Sequence, residues 1–475
     1  MEAVFRALQD ARQAREAQLV DYVRIPSISS IPRHAPDVAR CARFTAELLQ
    51  QAGMEQVTVH ATPGHPLVVG RWQKAPGRPT VLIYGHYDVQ PVDPLDLWVQ
   101  PPFSPRFHNQ RLFARGAADD KGQVLMHIQA VAAILQVTGT LPVNVIFLLE
   151  GEEEIGSPHL PAFITAHRAE LQADLALVSD SYMWAEGHPA ITVLLRGLVL
   201  MELVVTGPNR DLHSGSFGGA LANPLEVLAR MLTTIKDPTG SISIPGFYDE
   251  VRQPSPSLRQ QWQQLPFDET NYLQRLGLTQ GWGEPGYTLL ERIWLRPTFE
   301  INGMWGGYTG PGGKTVLPSK AHAKLSLRLV PDQDPETMVE RVRAHLLAVA
   351  PPQVTVEFRR IPGGGCGVAI PVGWPALQAA HRALSESFPH PPLQIGEGSS
   401  IPIVADFAKL LELHTLLIGF ALPDAQAHAP NESLHLPTFH AGIESLVRLL
   451  YYLPHHLLPD RDCGERPCLD GNPFS

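Results

Sequence analysis

The sequence predicts an α/β protein: an open mixed sheet with helices on both faces, interrupted by an inserted two-layer α+β domain. Three observations predict it. Apolar β-forming runs at 80–84, 143–149 and 175–179 each stop abruptly at polar residues. Helical runs stand between them, the β/α alternation of a layered sheet. Near residue 190 the pattern changes to alternating strands and Gly-rich turns, and it returns only with the apolar run 415–420. An insertion explains such a return. The chain therefore divides into a first part at 1–190, an insert at 191–366, a second part at 367–458 and a loose tail at 459–475. A length of 475 residues is too much for one ordinary core and agrees with two domains.

In chain order, 2–22 reads as an amphipathic surface helix, and 36–52 as a second one, opened by a proline and stopped by Gly53. The segments 56–62 and 67–72 form a hairpin. The strand TVLIYGHYDVQ follows at 80–90, then a Pro-rich loop at 91–107 and a short strand at 111–115. RGAADDKG is a turn, placed before a helix at 123–135. Within the insert, 191–206 is a strand pair and 223–234 a helix. The stretch 236–297 is irregular, and 321–329, 335–349 and 354–360 read strand, helix, strand. GGGCG at 363–367 leads back to a helix at 374–388, the strand at 415–420 and a closing helix at 438–452.

Composition narrows the function. The chain is 44% apolar and 18% charged, with a formal charge of −10 and no long single-sign runs, which speaks against nucleic-acid binding, since that wants a basic face. No apolar run reaches membrane-spanning length, and the charged first helix does not read as a signal peptide. Four scattered cysteines imply no disulfide framework and fit a reducing compartment, so a cytoplasmic soluble protein is expected.

The chemistry lies at the strand ends. His86 and Asp88 close the first strand, Glu153 and Glu154 follow the second, Asp180 follows the third, and His428 follows the strand at 415–420. Asp119 and Asp120 precede the 123–135 helix. Taken singly, each has a bland reading: a structural histidine, a solvated acidic run at 150–154, a helix cap. Their recurrence after apolar strands favours a metal centre instead, because clustered acids repel one another without a cation. The expected ligands are His86, Asp119, Glu154, Asp180 and His428. Five are too many for one open tetrahedral ion, so two divalent ions bridged by Asp119 are expected, zinc first and manganese or cobalt next. Glu153 is left free as general base toward a bridging water, and Asp88 would orient His86. His213 in a Gly-rich loop and Arg328 on an alternating strand read as bland when taken alone. Cys463 and Cys468 read as tail cysteines, not a zinc pair.

The stretches YGHYDVQP, RGAADDKG, LEGEEEIGSP, LVSDS, DLHSGSFGG, GGKTVLPSKAHAKLSLRLVP, GEGSSIPI and AHAPNESL stand in one order across residues 80–434. In sequence and spacing they resemble the dimetal peptidase family of carnosinase-like cytosolic dipeptidases, glutamate carboxypeptidases, aminoacylases and succinyl-diaminopimelate desuccinylase. YGHYDVQP and DLHSGSFGG are most similar to the dipeptidase branch. The resemblance implies hydrolysis of dipeptides or short peptides with a free C-terminal carboxylate. It assigns His86 and Asp180 to one metal, Glu154 and His428 to the other, Asp119 to both, and a cis peptide to Asp119–Asp120. It makes the insert a lid and dimerisation domain, with His213 steadying the oxyanion of the partner subunit's site. Thr315, Arg328 and Ser400 match substrate-holding positions. Glu152 is an additional acid in the motif and is expected to face solvent. An N-acyl-amino-acid amidohydrolase, or a non-catalytic binding protein on the same fold, remain the alternatives.

Overall fold

The computed structural model describes residues 1–457. The tail expected at 459–475, with Cys463 and Cys468, lies outside the described residues. The chain forms two compact units. Of the described residues, one comprises Met1–Val193, Ile370–Ile395 and Asp406–Leu457; the other comprises Leu194–Ala369 and Gly396–Ala405. The last segment departs from the expected division, which put 367–458 wholly in the first unit. Its ten residues group with the insert, where Ser400 bonds to Arg196 and Arg328.

The sheet of the first unit runs in the order Gln56–His60, Leu67–Trp72, Asn144–Glu150, Thr80–His86, Leu175–Val178, Thr415–Leu417, Ala190–Leu195. The four central strands pair in parallel, and both flanks are antiparallel, so the sheet is mixed. Val81–Tyr84, Val145–Leu149 and Leu175–Val178 are buried, which explains why these strands read as continuous apolar runs without alternation. Because the central strands are parallel, their carboxyl ends lie along one edge of the sheet.

The helix Lys121–Thr138 is buried nearly all round from Lys121 to Ile134, as its weak amphipathicity requires. It stops at Gly139, whose φ of 70° ends the helix in the left-handed region. The closing helix Leu436–Leu457 packs against it. The expected first helix is two, Glu2–Asp10 and Arg12–Val23, parted at Ala11.

The second unit is a four-stranded antiparallel sheet in the order Thr298–Gly306, Lys320–Leu329, Gly197–Thr206, Thr355–Gly365. Alternate residues Val199, Met201, Leu203 and Val205 join Ala323, Leu325 and Leu327 in one apolar face. The helices Pro224–Thr233 and Pro335–Val349 supply Leu228, Met231, Met338, Val342 and Leu346 to the same core. Asn223 and Asp334 cap these two helices through their side chains.

Candidate metal centre

Strand ends place the first-unit residues. His86 is the last residue of its strand and lies beside Glu150 in parallel register. Glu153 and Glu154 open a single 3₁₀ turn after Asn144–Glu150, and Asp180 stands two residues beyond Leu175–Val178. Asp119 arrives from the turn before the buried helix, across a cis peptide to Asp120. His428 sits in the loop after Thr415–Leu417 with a φ of 61°.

These residues converge on two donor groups. His86, Asp119 and Asp180 offer ligand atoms within 4.8 Å of one another, and Asp119, Glu154 and His428 do the same. Asp119 belongs to both. Its Oδ1 lies 3.0 Å from His86 Nε2, and its Oδ2 lies 2.8 Å from His428 Nε2. Asp180 Oδ2 is 3.8 Å from His86 Nε2, and Glu154 Oε2 is 3.3 Å from His428 Nε2.

Neighbouring groups orient these side chains. His86 Nδ1 donates to the Asp88 carbonyl at 3.1 Å, which leaves Nε2 directed toward Asp119 and Asp180. The buried Asp88 carboxylate accepts the amides of Glu153 at 3.3 Å and Glu154 at 3.1 Å. One side chain thus lies against His86 and holds the Glu153–Glu154 turn. Gln90 Nε2 donates to Glu154 Oε2 at 2.7 Å.

The electrostatics are those of crowded charge. Burial disfavours a charged His86, but hydrogen bonds to Asp119 and Asp88 outweigh it and hold its pKa well above the ordinary value. Hydrogen bonds to Asp119 and Glu154 push His428 up to about 10. Burial works against ionised Asp119, yet the two imidazoles keep its carboxyl below the usual range. Burial, then the charge of Asp119, pushes Asp180 up to about 7. Burial raises Glu153 well above a free carboxyl, and Asp180, Glu154 and Asp119 add to it. Burial, with neighbouring acids adding to it, holds the protons of Asp180 and Glu153 on, which marks a site short of positive charge. Imidazole nitrogen with carboxylate oxygen is a donor set that suits zinc, manganese or cobalt, so the residues fit two divalent cations.

Two acids behave unlike their sequence pattern. Glu152 was expected to face solvent, but it is 4% exposed. Its Oε1 accepts the His65 amide at 3.0 Å, and its Oε2 bonds His159 Nδ1 at 2.8 Å. The chain at Gly64–His65 lies directly over it, which closes off water. Glu432 had no assigned role, although it lies within AHAPNESL. It is fully buried and accepts the amides of Gly116, Ala118 and Asp119. Its partners, three backbone amides and the Arg115 guanidinium, lie more than three hundred positions away, so only the motif itself could have pointed to it.

The remaining expected residues belong to the second unit and form two pairs there. His213 Nε2 lies 3.4 Å from Thr315 Oγ1, both exposed, where Leu212–His213 pairs with Val316–Leu317. His213 Nδ1 accepts the Gly215 amide at 3.0 Å. Arg328 Nη1 donates to Ser400 Oγ at 3.0 Å, and Ser400 Oγ donates to the Arg196 carbonyl at 2.5 Å.

Known proteins share this arrangement of sequence and fold. The model of peptidase family M20/M25/M40 matches residues 82–452. The Cys-Gly metallodipeptidase of Schizosaccharomyces pombe is 31% identical over 95% of this chain and 98% of its own. The Beta-Ala-His dipeptidase of Rattus norvegicus is 29% identical over 86% of each chain. The solved structure of a di-peptidase from Saccharomyces cerevisiae superposes with a TM-score of 0.81 at 28% identity, covering 97% of this chain and 99% of the other. A family match across most of the chain, agreement of fold over nearly its whole length and a two-group donor site give one conclusion: this chain belongs to the M20/M25/M40 metallopeptidase family.

Proposed function

We propose that this protein hydrolyses the peptide bond of dipeptides or short peptides with a free C-terminal carboxylate, using two divalent cations. The observation that carries the reading is Asp119, whose two oxygens each belong to a separate donor group, while Glu153 lies within electrostatic reach of His86, Asp180, Glu154 and Asp119. His86 and Asp180 would hold one cation and Glu154 and His428 the other, with Asp119 shared. When bound, the two cations would supply Lewis acidity and would offset the Asp119, Glu154 and Asp180 carboxylates. Glu153 accepts the water's proton at a carboxylate oxygen and delivers it to the leaving nitrogen. Asp88 holds His86 in the tautomer that presents Nε2. Zinc is the expected metal, with manganese and cobalt as substitutes.

The second unit completes the proposal as lid and dimerisation domain. His213 of the partner subunit steadies the oxyanion, and Thr315, Arg328 and Ser400 hold the substrate's carboxylate or backbone. The adjacency of His213 to Thr315 and of Arg328 to Ser400 supports two such clusters of donors. Arg328 suits a carboxylate because its fork binds both oxygens at once. The names of the relatives support the dipeptide class. No helix among the described residues is long and apolar enough to cross a membrane. A place in the cytoplasm belongs to the same proposal. The test is to strip the purified protein of metal and restore it with zinc, manganese or cobalt. It is then assayed on a dipeptide panel, including Cys-Gly and β-Ala-His, beside N-acyl amino acids. Hydrolysis confined to N-acyl amino acids would replace the dipeptidase reading with an acylase; no hydrolysis with any metal would reject both.

A further inference from the structure

Glu432 makes an unusual set of contacts for a buried acid. Its Oε2 accepts the Gly116 amide at 2.9 Å and Arg115 Nη1 at 2.8 Å. Its Oε1 accepts the Ala118 amide at 2.8 Å and the Asp119 amide at 3.0 Å. Its own carbonyl accepts the Ala114 amide at 3.1 Å. Every one of these donors lies in the run 114–119, which ends at the acid shared by both donor groups. A backbone that wraps several amides round one anion is a strong and directional device, because each N–H is fixed by the chain itself. Arg115 adds a full positive charge; it is itself held by the Pro91 carbonyl at 3.0 Å and by the face of Trp98.

The same acid is also tied to the other ligand loop. Glu432 follows His428 by four residues, and both His428 and Asn431 adopt left-handed backbone, with φ of 61° and 66°. Asn431 fixes this loop from its far side, accepting the Val99 amide and donating to the Leu97 carbonyl. One carboxylate therefore joins the loop that presents Asp119 to the loop that presents His428. A pure fold-stabilising role would need an acid at neither place. Burial of a charge costs several kcal/mol, and apolar packing usually serves stability as well or better.

We propose that Glu432 is a positioning residue for the dimetal site: it fixes the backbone of 116–119 so that Asp119 faces both donor groups, and it locks that backbone to the loop of His428. It touches neither substrate nor reacting atoms. The inference rests on the two-cation reading above, and the experiment separates the two. Glu432→Gln keeps the size but turns an N–H₂ toward backbone N–H donors. In calorimetric titration with zinc, wild type should bind two cations per chain, and Glu432→Gln should bind at least one of them about tenfold or more weakly. The visible spectrum of the cobalt form should change, and kcat should fall about 10- to 100-fold with a smaller change in KM. Glu432→Asp keeps the charge and should recover part of the zinc affinity. If Glu432→Gln fails to fold, Glu432→Asp alone is compared with wild type and should still show weakened zinc binding. A variant that binds two zinc ions as tightly as wild type, with an unaltered cobalt spectrum and a loss only in thermal stability, overturns the positioning role. Fewer than two cations on wild type overturns the two-cation reading itself.

Discussion

Asp119 has one oxygen for each imidazole, and much of the site follows from that division. The adjacent glutamates divide in a similar way. Glu154 approaches His428, while the Glu153 carboxylate belongs to neither donor group. Glu153→Gln should therefore leave zinc stoichiometry unchanged and lower kcat about 10²- to 10⁴-fold, read by metal analysis and steady-state assay on one dipeptide. Turnover near that of wild type would remove Glu153 as the base. A different acid answers for stability. Burial pushes Glu150 up to about 8, with Tyr84 and Ser157 donating to its Oε1. Folding thus favours its protonated form. That contribution is full below the ordinary carboxyl value and is lost as pH rises through about 8. Glu150→Gln, which accepts the same two hydroxyls, should match wild type at pH 5 and exceed it at pH 8.5 in urea denaturation. A variant less stable at the higher pH would contradict this. At this scale the sequence was informative where a polar residue closed an apolar run, as at His86 and Asp180. It misled at Glu152, where a run of acids reads as a wet surface but the Gly64–His65 segment covers it. It was silent at Glu432, most of whose partners are amides that no residue type announces, and whose one charged partner, Arg115, lies 317 positions away.

Parallel strands bring distant acids to one edge, and glycines decide how closely the elements meet there. Gly122 shows this in the first turn of the buried helix. A Cβ at that position would lie 2.0 Å from the Ala117 carbonyl and 2.7 Å from Leu434 Cδ2. Neither the 116–119 turn nor the helix could yield without moving Asp119. Gly122→Ala should therefore destabilise the fold by about 1–3 kcal/mol and weaken zinc binding together, measured by denaturation and calorimetry. A stable variant with intact zinc affinity would show that the turn adjusts freely. The strands at 80–86, 144–150 and 175–178 were legible because burial on both faces demands unbroken apolar runs. The strand Leu393–Glu397 was not, since it is five residues long, follows two prolines and contains Gly396. Gly396–Ala405 likewise gave no sign of its place in the second unit; that follows from bonds of Ser400 to Arg328 and Arg196, residues far off in sequence.

For the molecule as a whole, the proposal that His213 serves the partner subunit's site has a direct test. Chains carrying Glu153→Gln and chains carrying His213→Ala should each be nearly inactive alone. Mixed dimers should regain activity, because one site then combines an intact Glu153 with an intact His213. Verified mixed dimers without such recovery would place His213 in its own chain's site or outside catalysis. The two-unit plan was readable from the interruption and return of the strand pattern, whereas the grouping of short segments was not. The returning strand carries a further consequence for biosynthesis. Leu175–Val178 has Thr80–His86 on one side and Thr415–Leu417 on the other. During translation its second neighbour emerges only after all of Leu194–Ala369 has been made. Until then a central, wholly apolar strand offers a bare hydrogen-bonding edge, a template for sticking to other nascent chains. Premature termination between Val178 and Thr415 should thus yield insoluble fragments that depend on chaperones, even when every residue of the first half is intact.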